Sequence, residues 1–228
     1  MITLIEAIKS RHSVRRYLNR SLSEEIKATL QNKINELNSQ YNLNIQLICN
    51  EPKAFTGIFA YGKFSGVENY FVMAGVKDSS FDERVGYCGE QLVLLAQQLG
   101  LNTCWAGLSY RRIANTYILK PNEKIACYIA LGYGETQGCD HKRKTFTEVC
   151  NINDNSPEWF VRGVEAALLA PTAINQQKFY FKLLPQVSGK PVVVAQRGLS
   201  LVGYTQMDLG IAKLHFEIAA GKENFQWD

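Results

Sequence analysis

The sequence predicts an α+β fold in which two helix-flanked antiparallel-sheet halves are folded into one unit. Segments with apolar residues at helical spacing alternate with short β-branched and aromatic runs bounded by turn residues. The order helix, strands, glycine-ended helix, aromatic tail occurs twice. Setting Gly221 over Gly100 also sets Gly210 over Gly89, an offset of 121 positions in both cases. Together these features point to an internal duplication. Residues 1–150 form the expected first half and 151–228 a shorter second half, intertwined as a pseudo-dimer.

Taken in order, Thr3-Leu4-Ile5-Glu6 has capping-box form, and Leu4, Ile5 and Ile8 give a first helix its apolar face to about Ser10. "SRHSVRRY" breaks that pattern. A second helix starts near Ser23 and places Ile26, Leu30, Ile34 and Leu37 on one side. "NIQLIC" (44–49) and "YFVMAGV" (70–76) read as strands, separated in part by the glycine-punctuated loop "AYGKFSGVENY" (60–70). The longest helix runs from about Asp82 to Leu99 and stops at Gly100. "NTCWAGL" (102–108) reads as the exit from that helix. A short helical stretch follows it, then a turn at Lys120-Pro121-Asn122 and the strand "KIACYIALGYG". Ser156-Pro157-Glu158 reads as a serine cap with proline at the first helical position. The helix it opens breaks at Ala170-Pro171. Strands "KFYFKLL" and "PVVVAQ" follow, then a helix from about Gln206 to Ala220 and the tail "NFQW".

Composition narrows the function classes. The 228 residues are 46% hydrophobic and 20% charged, ordinary values for a globular domain. The net charge of +4, from 25 basic and 21 acidic residues, is too mild and dispersed for a nucleic-acid binder. No apolar run reaches the roughly 20 residues of a membrane span. The N-terminus lacks signal-peptide order, so the expectation is a cytoplasmic protein. Six cysteines are scattered without a C-x-x-C, which fits a reducing compartment. Cys139, His141 and Cys150 offer three ligands at irregular spacing, and no metal is expected.

Four stretches carry chemistry. "RHSVRRY" (11–17) reads either as a solvated basic turn or as a phosphate contact, since arginine grips phosphate oxygens bidentately and serine adds a hydroxyl. "NTCWAGL" sets Trp105 before the small pair Ala106-Gly107, where backbone amides can approach a planar group; the alternative is a core tryptophan. "HKRKTFTEV" (141–149) reads as a solvated tail or a phosphate clamp. "ALLAPTAINQQKFYF" (167–181) has the chemistry of a cofactor-contact loop: a proline, Thr172, Asn175 and two glutamines. "GYGETQG" (132–138) has one residue too many for a dinucleotide fingerprint and no apolar helix after it. His215 reads as a packed core histidine. No hydrolytic or metal-catalytic motif is present.

Jointly these stretches resemble the FMN-dependent nitroreductase family. Arg11, Ser13, Arg15 and Tyr17 match its R-x-S-x-R-x-[FY] opening, and Ala170, Pro171, Thr172, Ala173, Asn175 and Gln177 match its A-P-S-A-x-N-x-Q segment. Gly100, Leu101, Trp105 and Gly107 match G-L-G-x-x-W-x-G, and Ala130–Tyr133 with Arg143 match its later A-L-G-Y and basic residue. The order is rearranged. Ordinary members carry the A-P-S-A-x-N segment soon after the first motif and lend it across a homodimer, whereas here it lies in the second half. The chain is similar to the branch in which one duplicated polypeptide imitates the dimer.

The resemblance implies a nitroreductase-like fold and an FMN site. In that site Arg11, Ser13 and Arg143, helped by Lys142 or Lys144, hold the phosphate end, and His12 is a further cofactor-binding residue. Arg15 reaches the phosphate or the pyrimidine side. Trp105, Ala106 and Gly107 border the flavin edge, and Pro171, Thr172, Ala173 and Asn175 close the site from the other half. Asn69 is a candidate for the pyrimidine edge by position alone. The implied activity is hydride transfer from NADH or NADPH through flavin N5 to a small-molecule acceptor, a nitroaromatic, quinone or similar compound, with no catalytic side chain. A specialised dehydrogenase- or dehalogenase-like flavin enzyme and a non-catalytic flavin-binding module are the alternatives. A monomeric pseudo-dimer is expected, with further dimerisation left open.

Overall fold

The structure, a computed structural model, describes residues 1–57, 63–185 and 189–228. The start of the 60–70 loop, Ala60 to Gly62, lies outside the described residues. The elements are α1 (Leu4–Ser10), α2 (Glu24–Tyr41), β1 (Gln46–Ile48), β2 (Asn69–Val76), α3 (Phe81–Gln98), β3 (Asn102–Ala106), β4 (Glu123–Gly132), α4 (Phe146–Val149), α5 (Glu158–Ala167), β5 (Phe179–Leu183), β6 (Val192–Arg197), α6 (Thr205–Ala220) and β7 (Gln226–Trp227). A 3-10 turn spans Ala173–Asn175.

Local chemistry sets the helix ends. The Thr3 hydroxyl accepts the Glu6 N–H at 3.2 Å while Glu6 Oε2 accepts the Thr3 N–H at 2.8 Å, the reciprocal pair foreseen in the sequence. Ser23 caps α2, which buries Leu30, Ile34 and Leu37. α3 closes on Gly100 at φ +78°, with Leu101 N–H donating to the Ala96 carbonyl at 2.9 Å and Gly100 N–H to Gln97 at 3.1 Å.

Two sheets result. The first has order β1-β2-β4-β3 with every pair antiparallel, and the second has order β5-β6-β7. β7 joins β6 in parallel, so the second sheet is mixed and the aromatic tail is an edge strand. α3 and α6 pack against each other between the sheets. A side chain added at Gly86 would fall on the Met207 carbonyl and 3.2 Å from Ile211 N, and one added at Gly210 would fall on the Glu83 carbonyl and 2.9 Å from Tyr87 N. Adding 124 to 83, 86 and 87 gives 207, 210 and 211, so the crossing is symmetric. The glycines that let the helices touch are therefore 124 positions apart. Gly89, paired with Gly210 in the sequence reading, makes room instead for the Trp105 ring.

Three other expectations change. "NTCWA" is a strand, because its backbone pairs with β4 from Asn102↔Gly132 to Ala106↔Tyr128. The helical stretch before Lys120 is a series of turns, with Asn115 at φ +64° and the Thr116 hydroxyl donating to the Ile113 carbonyl. α5 takes Pro157 as its N-cap, while the Ser156 hydroxyl accepts the Asn153 N–H at 3.0 Å and closes the preceding turn. One core fills the space between α2, α3 and the first sheet, another that between α5, α6 and the second sheet; Trp105 packs against both.

Candidate functional site

The basic segment after α1 is held in place rather than solvated throughout. Val14 N–H donates to the Thr103 carbonyl at 3.0 Å, so Ser13-Val14 runs beside β3. The Tyr17 hydroxyl donates to the Val14 carbonyl at 2.6 Å, and Ser65 N–H donates to the Arg15 carbonyl at 3.0 Å. These bonds leave Ser13 half-buried and Arg15 exposed.

Across from it, the loop after α5 is shaped by residues that L-amino acids adopt reluctantly. Ile174, Asn175 and Gln177 lie at φ +48°, +58° and +45°. A β-branched residue there is a conformational outlier, worth about 1–3 kcal/mol of strain. Hydrogen bonds offset it. Asp208 Oδ1 accepts the Ala173 N–H at 3.0 Å and Oδ2 accepts Gln176 Nε2 at 2.7 Å. The buried Gln177 amide donates to the Lys142 carbonyl at 2.8 Å, and its oxygen accepts the Lys144 N–H at 3.0 Å. The basic segment 142–144 is thus stapled to a loop more than thirty residues later in the chain.

Between these two parts lies a cleft of about 270 Å³. Ser13, Arg15, Trp105 and Gly107 line one side; Pro171, Thr172 and Ala173 line the other. These seven residues singled out from sequence share one cavity. The other six stand elsewhere. Arg11 is buried behind the wall, 3.7 Å from Glu90. Ala106 is buried in β3. His12 and Arg143 line a separate surface groove, where Arg143 pairs with Asp140. Lys142 meets the loop through its carbonyl, which also accepts Asn175 Nδ2 at 2.8 Å. Asn69 is buried, with its side-chain oxygen accepting the Asn50 N–H.

Sequence reasoning missed ten further lining residues, among them Lys63, Tyr204, Met207 and Asp208. Tyr204, at φ +62°, precedes α6 and lays its ring against Gly107, where an added Cβ would stand 2.6 Å from the ring. Asp208 is 3% exposed, and burial pushes its carboxyl up to about 6 against the opposing pull of the Gln176 and Ala173 hydrogen bonds. The signal available for it was an acid in the first turn of a predicted helix, which ordinarily reads as a surface dipole contact.

The cleft therefore offers cationic side chains, a hydroxyl, backbone beside a glycine and one buried carboxyl. Among the described residues no cluster of three or more His, Cys, Asp or Glu could hold a metal ion. His141 Nε2 lies 3.0 Å from the Leu168 carbonyl oxygen, and Cys150 packs in the second core. Among those residues no helix is long and apolar enough to cross a membrane.

Comparison with known proteins agrees with this architecture. Residues 3–220 match the family model described as "Putative TM nitroreductase". The fold is similar to the crystal structure of a "putative nitroreductase" from Thermotoga maritima, at 25% identity and a TM-score of 0.62, over 96% of this chain and 83% of that one. It is also similar to a "putative nitroreductase" from Desulfovibrio desulfuricans solved in complex with FMN, at 18% identity and a TM-score of 0.53, over 69% of this chain and 99% of that one. No curated protein matches the chain. With the family model spanning nearly its whole length, the chain belongs to the nitroreductase family.

Proposed function

We propose that the protein is an FMN-dependent oxidoreductase that takes hydride from NADH or NADPH and reduces nitroaromatic, quinone or similar acceptors. The observation that carries this reading is the cleft itself, which motif residues far apart in the chain line together. Its donor set suits FMN. Arg15 and Lys63 supply positive charge, Ser13 a hydroxyl, and Gly107 a backbone position without a side chain. When bound, FMN supplies the redox chemistry, hydride in from the nicotinamide and out to the acceptor.

The chain's own groups bind and orient. Arg15 and Lys63 make one wall electropositive, which favours an anionic cofactor and negative charge that builds up on it. Thr172, Ala173 and Ile174 cover the opposite wall; Asp208 accepts the Ala173 N–H, and the Thr172 hydroxyl accepts the Gln177 N–H. Tyr204 and Trp105 give the cleft flat apolar surface for a planar ring. Asp208 can hold or release a proton near neutral pH beside the cleft. Because one chain supplies both walls, a monomeric pseudo-dimer is part of the proposal.

The test is steady-state oxidation of NADH and of NADPH by FMN-loaded protein with a quinone acceptor. Turnover with at least one nucleotide is expected. A yellow protein that oxidises neither would refute the hydride-transfer reading.

A further inference from the structure

A buried polar cluster stands directly behind the cleft. Glu90, on α3, is 0% exposed; its Oε2 accepts the Trp105 indole N–H at 3.0 Å, and its Oε1 lies 2.9 Å from His215 Nε2 on α6. His215, also fully buried, has Nδ1 3.0 Å from the Ala166 carbonyl oxygen in α5. That oxygen only accepts, so Nδ1 carries a proton. Arg11 Nε, 3.7 Å from Glu90 Oε1, has no hydrogen-bond partner of its own. Burying these charges is costly, and replacing such a cluster by apolar residues is often neutral or stabilising. The cluster is thus poorly explained by stability alone. Of its side chains, Trp105 is the one that lines the cleft. Gly89, the neighbour of Glu90, leaves room for the indole: an added Cβ would strike Trp105 Cη2 and stand 3.0 Å from Cζ2.

We infer that Glu90 is a positioning residue of the cleft, fixing the Trp105 indole through its N–H and anchoring that bond to the second half through His215. This rests on the flavin reading given above. Glu90 does not line the cleft and acts through Trp105, which sets the wall against which a planar cofactor would lie.

The experiment is a cycle of FMN titrations, followed by flavin fluorescence, on wild type, Glu90→Met, Glu90→Gln, Trp105→Phe and both double variants. Glu90→Met removes the acceptor at similar volume and should weaken FMN binding about tenfold, the scale of a lost hydrogen bond to a charged group. Glu90→Gln keeps an oxygen for the indole and should stay within about threefold of wild type. Trp105→Phe should weaken binding as Glu90→Met does, and adding Glu90→Met to it should cost nothing more. Equal losses from Glu90→Met in both backgrounds, or wild-type affinity in Trp105→Phe, would overturn the inference. Should Glu90→Met fail to fold, the glutamine and phenylalanine variants still decide. A Glu90→Gln loss that persists in the Trp105→Phe background would place the effect in charge and refute positioning. If wild type binds no FMN, the flavin reading fails first. The bond is then read from tryptophan emission: a redder, more quenchable Trp105 component in Glu90→Met supports it, and unchanged emission overturns it.

Discussion

Replacing Asp208 by asparagine tests the least expected member of the cleft. Its carboxyl sits at about 6 in the folded chain against an ordinary value of 3.8, because burial disfavours the charged form. Between those values the folded protein holds a proton that the unfolded chain has released. Stability contributed by this group is therefore full below pH 4 and falls as pH rises through 6. The displacement corresponds to roughly 3 kcal/mol once the group is ionised in both states. The amide introduced by Asp208→Asn would keep an oxygen for the Ala173 N–H but carry no charge at any pH. The assay is urea unfolding of both proteins from pH 4 to pH 7, taking the difference in unfolding free energy at each pH. Carboxylates far from the site cancel in that difference. Wild type should lose about 2.4 kcal/mol of that displacement relative to Asp208→Asn across the window. A difference that stays flat would refute the argument that burial governs this carboxyl.

Gly210→Ala should destabilise by about 3 kcal/mol, since the added methyl meets backbone of α3 that cannot step aside; a thermal midpoint within 2 °C of wild type, where roughly 6–12 °C is expected, would contradict the helix crossing. The double change Thr172→Ala and Asn175→Ala removes the acceptor for the Gln177 N–H and the donor to the Lys142 carbonyl. It should weaken FMN binding about tenfold or more, and equilibrium dialysis giving wild-type affinity would count against a shared cleft. Ile174→Asn exchanges a β-branched, 78% exposed residue at positive φ for one that tolerates it. It should raise stability by about 1 kcal/mol in urea unfolding, and a loss would show that the isoleucine packs usefully.

Four helices, α1, α2, α3 and α6, were legible through local signals: the Thr3–Glu6 box, the Ser23 cap, and Gly100 and Gly221 at the ends of the two packed helices. What escaped was set by partners distant in sequence. β3 reads as a loop because its five residues include polar Asn102 and Thr103, both buried only once β4 and Ser13 lie alongside. β7 is two residues long and exists because β6 offers an edge. The site was legible as motifs and illegible as geometry. Ser13, Arg15, Trp105 and the Pro171–Ala173 stretch meet at the cleft, yet Arg11 turns inward to Glu90, a pairing no local pattern announces. The short α4 did have a signal, the Thr145–Glu148 capping box inside "TFTEV", which the basic cluster before it masked.

The central claim is that the two parts of one chain build a single FMN cleft. The most direct measurement is the FMN content of the purified protein after incubation with excess FMN and desalting, taken with its mass in solution by light scattering. One FMN per chain, retained by a monomer of about 26 kDa, is the expected result. A colourless protein after desalting, or FMN bound only by a dimer at one per two chains, would contradict it.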